Sequence, residues 1–485
     1  MASTVLAIIF LDMEDYVTPE SDESPLQIAR IAEKHGVTLL VKIVAEKLRV
    51  LQKRNRKDVI EAISRHDMGY HSDMHNLHPA IAEYVGDLGW DEGRCEFEKR
   101  EGAGCEDVKR AFGELSSYGH PGMSWAPQAY PALKKWNIRV YIDETYTITP
   151  PIKERPYWYC NLLNLMGLEP NMLPLDASDG PANLPNDWLV KVRDEFLKVY
   201  RKLEAGEDVG LINLYIHPST YATEEFWDMI NFSRGKNPES GIYKKPRLKS
   251  RERIEEDLAN LERFLVLAKS LPNLRFITAN QAWAIYRDKA DGREFSSSEL
   301  KSLCQKNMSQ ITCETVGDGV WVSPAEAFSM VTYSLAWFSD SRALPSSVKC
   351  LHPLGPKEDH PTIGTAEQID IEELLRACKR EYEAMSRTGY LSISTEIDGL
   401  SLAPADTFAT CCDAYIALSE RKKLGRVGIK RGNFEVGKMI TDEGARMDWS
   451  HYSNPEGFEA PRQTELARLQ AWTLKPAVAD LSQLG

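Results

Sequence analysis

The sequence predicts an α/β protein: a parallel sheet layered with helices over residues 1–291, followed by a smaller α+β region. Three observations predict it. Apolar runs alternate with helical patterns through the first part. Four of those runs end in a residue able to do chemistry. In the second part, a turn–strand–helix pattern occurs twice.

The elements follow in order. Val5–Leu11 is continuously apolar, as expected of a strand buried on both faces. Ser24-Pro25 sets a helix start, Ile28, Ile31 and Ala32 supply its buried stripe, and Gly36 ends it. Residues 37–44 read as the second strand, a long charged helix runs to about Ser64, and residues 68–72 form the third strand. Later runs at 138–142, 211–216 and 274–278 supply further strands. Residues 247–270 form an amphipathic helix, and 274–287 a closing strand and helix. Strands separated by helices imply a parallel sheet, open or closed.

Residues 292–303, with Ser296-Ser-Ser298, read as a linker, and 304–485 as the α+β region. There, Asp318-Gly-Val-Trp-Val-Ser-Pro-Ala-Glu-Ala-Phe328 parallels Asp398-Gly-Leu-Ser-Leu-Ala-Pro-Ala-Asp-Thr-Phe408, and each copy reads as a turn, a short strand and a helix opened by Pro. This duplicated region carries no catalytic constellation. Its expected roles are packing, substrate reach or subunit contact, the last giving a homo-oligomer. Residues 460–476 place Leu466, Leu469 and Trp472 on one side and are expected to dock on the body.

Composition narrows the function. A net charge of -13 repels phosphate backbones and anionic membranes, so neither nucleic acid nor a lipid surface is an expected partner. The nine cysteines include no CxxC pair and show no framework, which argues against a disulfide scaffold and for a reducing compartment. The Val5–Leu11 run lacks a basic lead and ends in Asp12, so it does not read as a leader. The expected location is cytoplasmic.

The strand ends point to the chemistry. In parallel α/β folds the active site forms at the carboxyl ends of the strands. Four runs there deliver Asp12, His71, Asp143 and His217. His66, His71, His75 and His78 lie close together, and the His71–His75 spacing lets two imidazoles converge on one ion, on a helical turn or a strand-to-loop bend. Two histidines and a carboxylate, with positions left for water, make a hydrolytic metal site. The carboxylate is expected from Asp12-Met-Glu-Asp15, where crowded acids call for a cation. One acid binds metal while another serves as general base, and His217 after its strand is placed to act as general acid.

These residues carry a resemblance. Gly69-Tyr-His-Ser-Asp-Met-His75 resembles the second motif of the polysaccharide deacetylases, carbohydrate esterase family 4, in which a His-Ser/Thr-x-x-His element supplies two metal ligands. Phe10-Leu-Asp-Met-Glu-Asp15 resembles the first motif, Tyr118–Gln128 stands where the third, Pro/Gly-rich motif belongs, Ile142-Asp143 resembles the fourth, and Leu214-Tyr-Ile-His217 the fifth. The motifs come in the family's order and span about residues 1–290. Two departures stand out: Met13 and Glu14 intervene between Asp12 and Asp15 where the family usually has two adjacent aspartates, and no Arg stands between Tyr118 and Gln128 to tune the base.

The resemblance implies a distorted (β/α) barrel of the deacetylase type. It further implies a divalent metal, Zn²⁺ first and Co²⁺, Ni²⁺ or Mn²⁺ after it, held by His71, His75 and either Glu14 or Asp15. Asp12 is then the base, His217 the acid, and Asp143 orients His217 or touches substrate. Tyr70, Tyr118 and Trp125 are expected along a sugar groove. The implied reaction is hydrolysis of an N-acetyl amide on an amino sugar, releasing acetate. The competing readings are an amidohydrolase acting on a ureide-like small amide and a barrel that binds carbohydrate without catalysis.

Overall fold

Nine consecutive buried residues make Val5–Met13 the central strand, β1. The computed structural model describes residues 3–122, 124–142, 155–165, 171–175, 188–441 and 454–484. Along the chain follow β2 (Leu40–Ile43), β3 (Asp67–Tyr70), β4 (Ser117–Tyr118), β5 (Val140–Tyr141), β6 (Tyr157–Tyr159), β7 (Leu162–Asn164), β8 (Met172–Pro174), β9 (Gly210–Ile216) and β10 (Leu274–Phe276). With β19 (Lys475–Pro476) they form one sheet in the order β19-β6-β7-β5-β4-β3-β2-β1-β9-β8. The run from β7 through β8 is parallel, while β6 and β19 are antiparallel additions at one edge. One edge of β1 is shared, with β10 on Val5–Ala7 and β2 on Phe10–Met13. The sheet curls into a half-barrel, in keeping with the parallel sheet that the strand–helix alternation implies and the distorted barrel that the resemblance implies.

Both faces of β1 are covered. Val5, Ala7, Ile9 and Leu11 pack on the helical layer with Leu48, Ile63 and Phe97. Leu6, Ile8 and Phe10 point the other way, into the concave side with Leu40, Val140 and Leu163. The helix Ala279–Ile285, begun by a capping box between Thr278 and Gln281, plugs that concavity through Ala279, Ala282 and Ile285.

The long charged helix expected up to Ser64 is two helices, Ala45–Lys53 and Lys57–Ile63. Asn55 between them is left-handed (φ 56°), a common way for a helix to stop. Residues 292–303 are not a linker. They form β11 (Glu294–Ser296) and the start of the helix Ser297–Asn307, with Phe295, Leu300 and Leu303 buried. The reason is local: Ser296 and Glu299 make a full capping box, so the serine cluster opens a helix.

The duplication is larger than its sequence signature. One copy runs β11, helix Ser297–Asn307, hairpin β12–β13 (Glu314–Val316, Val320–Val322), helix Pro324–Ser341 and β14 (Ser347–Lys349). The other runs β15 (Gln368–Asp370), helix Ile371–Thr388, hairpin β16–β17 (Thr395–Ile397, Leu400–Leu402), helix Pro404–Ser419 and β18 (Arg426–Gly428). In each copy the first strand pairs with the last. Gly319 and Gly399 hold equivalent hairpin turns at φ 75° and 76°, a backbone that side chains disfavour. Phe328 and Phe408, equivalent in the repeat, meet with ring centroids 5.1 Å apart, and Trp472 from the tail packs on both. The tail then adds β19 to the barrel sheet, and buried Lys475 bridges Asp288 (2.8 Å) and Glu326 (2.6 Å).

Candidate active site

Side-chain alternation along β1 decides what enters the barrel mouth. After Leu6, Ile8 and Phe10 the next side chains on the concave face are Asp12 and then Glu14. The register sets Asp12 beside Lys42 of β2 and Lys42 beside Gly69 of β3. A Cβ at position 69 would stand 2.4 Å from Ser117 Oγ and 3.3 Å from Lys42 Cγ, so glycine is what fits between them. Two residues beyond Gly69, His71 leaves the end of β3 on the same face.

The loop after β3 brings His75 back toward His71. It is a strand-to-loop bend, not a helical turn, with Ser72 and His75 both left-handed at φ 75° and 56°. His75 donates its backbone N–H to Ser72 Oγ at 3.0 Å, which pins the bend. Non-glycine residues in this region are strained and persist where their surroundings hold them.

Three donor atoms converge. His75 Nε2 lies 2.7 Å and His71 Nε2 3.5 Å from Glu14 Oε2, and all three side chains are buried. The far side of each group is tied. His71 Nδ1 pairs with the Gly119 carbonyl at 2.9 Å, and His75 Nδ1 pairs with Asp228 Oδ1 at 2.9 Å. Trp227 Nε1 donates to Glu14 Oε1 at 3.1 Å. Asn76 Nδ2 donates to the other Asp228 oxygen at 2.8 Å, so the carboxylate behind His75 is itself fixed. Both imidazoles therefore aim Nε2 at one carboxylate oxygen, with the outer contacts that orient histidines in metal sites. Two imidazole nitrogens and one carboxylate oxygen within 4.8 Å of one another fit a divalent cation.

Electrostatics agrees. Burial would raise the Glu14 carboxyl, but His75, His71 and His217 hold it well below the usual range. Burial likewise opposes charge on His75, yet Glu14 and Asp228 outweigh it and raise the imidazole to about 10. The pocket is built for positive charge between its carboxylates.

Asp12 stands next to this triad. Its Oδ1 forms an ion pair with Lys42 Nζ at 2.9 Å and lies 4.0 Å from His71 Nε2, while Oδ2 faces His217 Nε2 at 3.9 Å. Lys42 is wholly buried. Its ammonium sits 4.4 Å from the Phe10 ring centroid and donates to the Ile142 carbonyl at 3.3 Å. His217, at the end of β9, is the most accessible of these side chains at 21%.

Several expected residues are not here. Asp15 turns away: its Oδ1 accepts from the backbone N–H of Val17 and Thr18 at 2.9 and 3.0 Å, and burial raises its carboxyl. Alternation explains this, since residue 15 follows an inward Glu14. Tyr70 does not line a groove. As the strand neighbour of inward His71 it points out into the helical layer, where its hydroxyl donates to Glu101 Oε2 at 2.9 Å. Tyr118 is buried among Tyr70, Phe97 and Tyr141, and Trp125 among Tyr130 and Tyr159, so both are core residues. Asp143 lies outside the described residues. His66 and His78 are structural: His66 Nδ1 accepts from Leu39 N, and His78 Nδ1 pairs with Glu83.

Sequence reasoning missed Lys42, Trp227 and Asp228. Lys42 had a signal, a lone cation inside the apolar run Leu39-Leu-Val-Lys-Ile-Val44. Asp228 had none. It lies in the first turn of the short helix Trp227–Phe232, and its meeting with His75 is purely tertiary.

No protein-family model and no curated protein matches the chain. Among solved structures it is similar to a putative polysaccharide deacetylase from Mycobacterium smegmatis, at 15% identity over 58% of this chain and 89% of that one, with a TM-score of 0.36. An allantoinase matches at 12% identity over 58% of this chain and 90% of that one, with a TM-score of 0.36. A 4-alpha-glucanotransferase from Thermococcus litoralis matches at 7% identity with a TM-score of 0.38. The match covers 59% of this chain and 40% of that protein's length.

Proposed function

We propose that this chain is a metal-dependent amide hydrolase whose substrate is an N-acetylated amino sugar and whose product is acetate. The observation that carries the reading is the convergence of Glu14, His71 and His75, each anchored from behind, with Asp12 and His217 beside them. When bound, the divalent ion supplies Lewis acidity and makes water acidic enough to attack near neutral pH. Zinc suits two imidazoles and a carboxylate best.

The chain's own groups divide the remaining work. Glu14, His71 and His75 hold the ion. Asp12 takes the proton of the attacking water. Lys42 occupies Asp12 Oδ1, so Oδ2 is the oxygen left toward the reacting centre, and Lys42 stands in for the arginine that the third motif lacks. His217 Nε2, on the far side of Asp12 Oδ2 and nearest solvent, gives a proton to the departing amine. Asp143 is assigned to orienting His217 or to contacting substrate.

The test combines metal analysis with a substrate panel. Purified protein is expected to hold one equivalent of divalent metal, and His71→Ala to hold none. Acetate release from N-acetyl sugars supports the proposal, and ammonia or urea release from ureides replaces its substrate half. A wild-type chain that binds no metal overturns it.

A further inference from the structure

At the end of the sheet opposite the metal-binding triad lies a cavity of about 420 Å³, a volume suited to a small metabolite. Arg139 enters it from just before β5, with Lys134 nearby. Trp283 and Arg287 come from the region of the plug helix, and Trp158 from β6. The C-terminal region closes it with His352 and Lys475.

The charges around this cavity do not balance internally. Lys475 is held by Asp288 and Glu326. His352 pairs with Glu326 through Nδ1 at 2.7 Å and lies 3.5 Å from Asp291 through Nε2. Lys475 and His352 thus meet three carboxylates, Asp288, Asp291 and Glu326, which leaves one negative charge over, and Asp291 also acts on Lys134. Lys134, Arg139 and Arg287 make no ion pair among the described residues, in a chain whose net charge is -13. Against that surplus charge stand Lys134, Arg139 and Arg287, which leaves a net of two positive charges around one concavity and a positive potential that an anion relieves. The Arg139 guanidinium lies 4.7 Å from the Trp283 ring centroid, a stacking that holds its plane and leaves its N–H edge for an oxyanion.

We propose that this cavity binds a small organic dianion, a compact molecule bearing a phosphate or two carboxylates. The anionic group meets Arg139, Arg287 and Lys134, and the organic body rests against Trp158 and Trp283. Because the walls come from both the barrel and the C-terminal region, occupancy favours the state in which the two are docked.

Thermal melting and calorimetric titration of the full-length protein test this. Glucose 6-phosphate and succinate represent the two anion types, with glucose and matched potassium chloride as controls. A saturable rise in melting temperature with one of the anions and neither control is expected, and the anion that acts identifies the group. Arg139→Gln/Arg287→Gln removes two exposed side chains that make no ion pair, so it is expected to fold and to bind at least tenfold more weakly. Lys134→Gln gives the same reading if the double variant does not express. His71→Ala, which disables the barrel mouth, is expected to bind as wild type does. Absence of saturable binding, equal affinity in the cation variants, or loss of binding in His71→Ala would each overturn the proposal.

Discussion

Glu101 couples the helical layer to the histidine loop, and its titration sets a measurable pH dependence of stability. It sits on the helix Trp90–Phe112, buried, where it accepts from Tyr70 Oη at 2.9 Å and from the Asp73 backbone N–H at 2.8 Å. Burial raises its carboxyl from 4.5 to about 7, because the hydrogen bonds it accepts do not replace lost hydration. A raised carboxyl means that between those two pH values the folded chain holds a proton that the unfolded chain releases. Its contribution is therefore fully present below pH 4.5 and lost as pH rises through about 7, amounting to ~3 kcal/mol at 1.36 kcal/mol per tenfold proton activity. Glu101→Gln keeps an acceptor for the Asp73 N–H and cannot ionise. Urea unfolding followed by tryptophan fluorescence, run on both proteins from pH 4.5 to 8, isolates the effect as a difference. The wild type's advantage over the variant is expected to shrink by about 3 kcal/mol across that range and then level off. A difference that stays constant, or grows with pH, refutes the assignment.

Other consequences follow from the site. Asp12→Asn is expected to keep its metal and lose about 10²–10⁴ in kcat, the usual worth of a general base; metal loss by plasma emission would instead make Asp12 a ligand. Asp228→Asn removes the charge behind His75 and is expected to weaken zinc binding about 10–100-fold in chelator competition, with kcat at saturating metal much less affected. Tyr70→Phe is expected to lower stability by about 1–3 kcal/mol by leaving Glu101 short of a partner, without moving KM; a raised KM would return Tyr70 to the substrate groove.

Much of the barrel was readable because its signals are local. A nine-residue apolar strand needs burial on both faces, and strand ends in Asp or His mark the functional rim wherever the strands are parallel. Other expectations failed for reasons equally local. Strand alternation already separates Tyr70 from His71 and Asp15 from Glu14, so the same period that buries Leu11 sends those two side chains away from the mouth. Ser296 and Glu299 spelled a helix start inside a stretch that looked like a linker. The full repeat was hidden because its outer strands β11, β14, β15 and β18 are three-residue segments with one buried residue each.

By itself the sequence determined which residue types stand at the strand ends, and hence that imidazoles and carboxylates gather at one rim. It also determined the duplicated pattern around Asp318 and Asp398, because turns, caps and strand periods are set by neighbours along the chain. Only the tertiary structure decided that Glu14 meets the two histidines, that Asp228 steadies His75 from 153 positions away, and that Lys42 pairs with Asp12 in the barrel interior. Those contacts depend on strand register and on chain closure over long separations, and register is fixed by burial of whole faces rather than by any single residue.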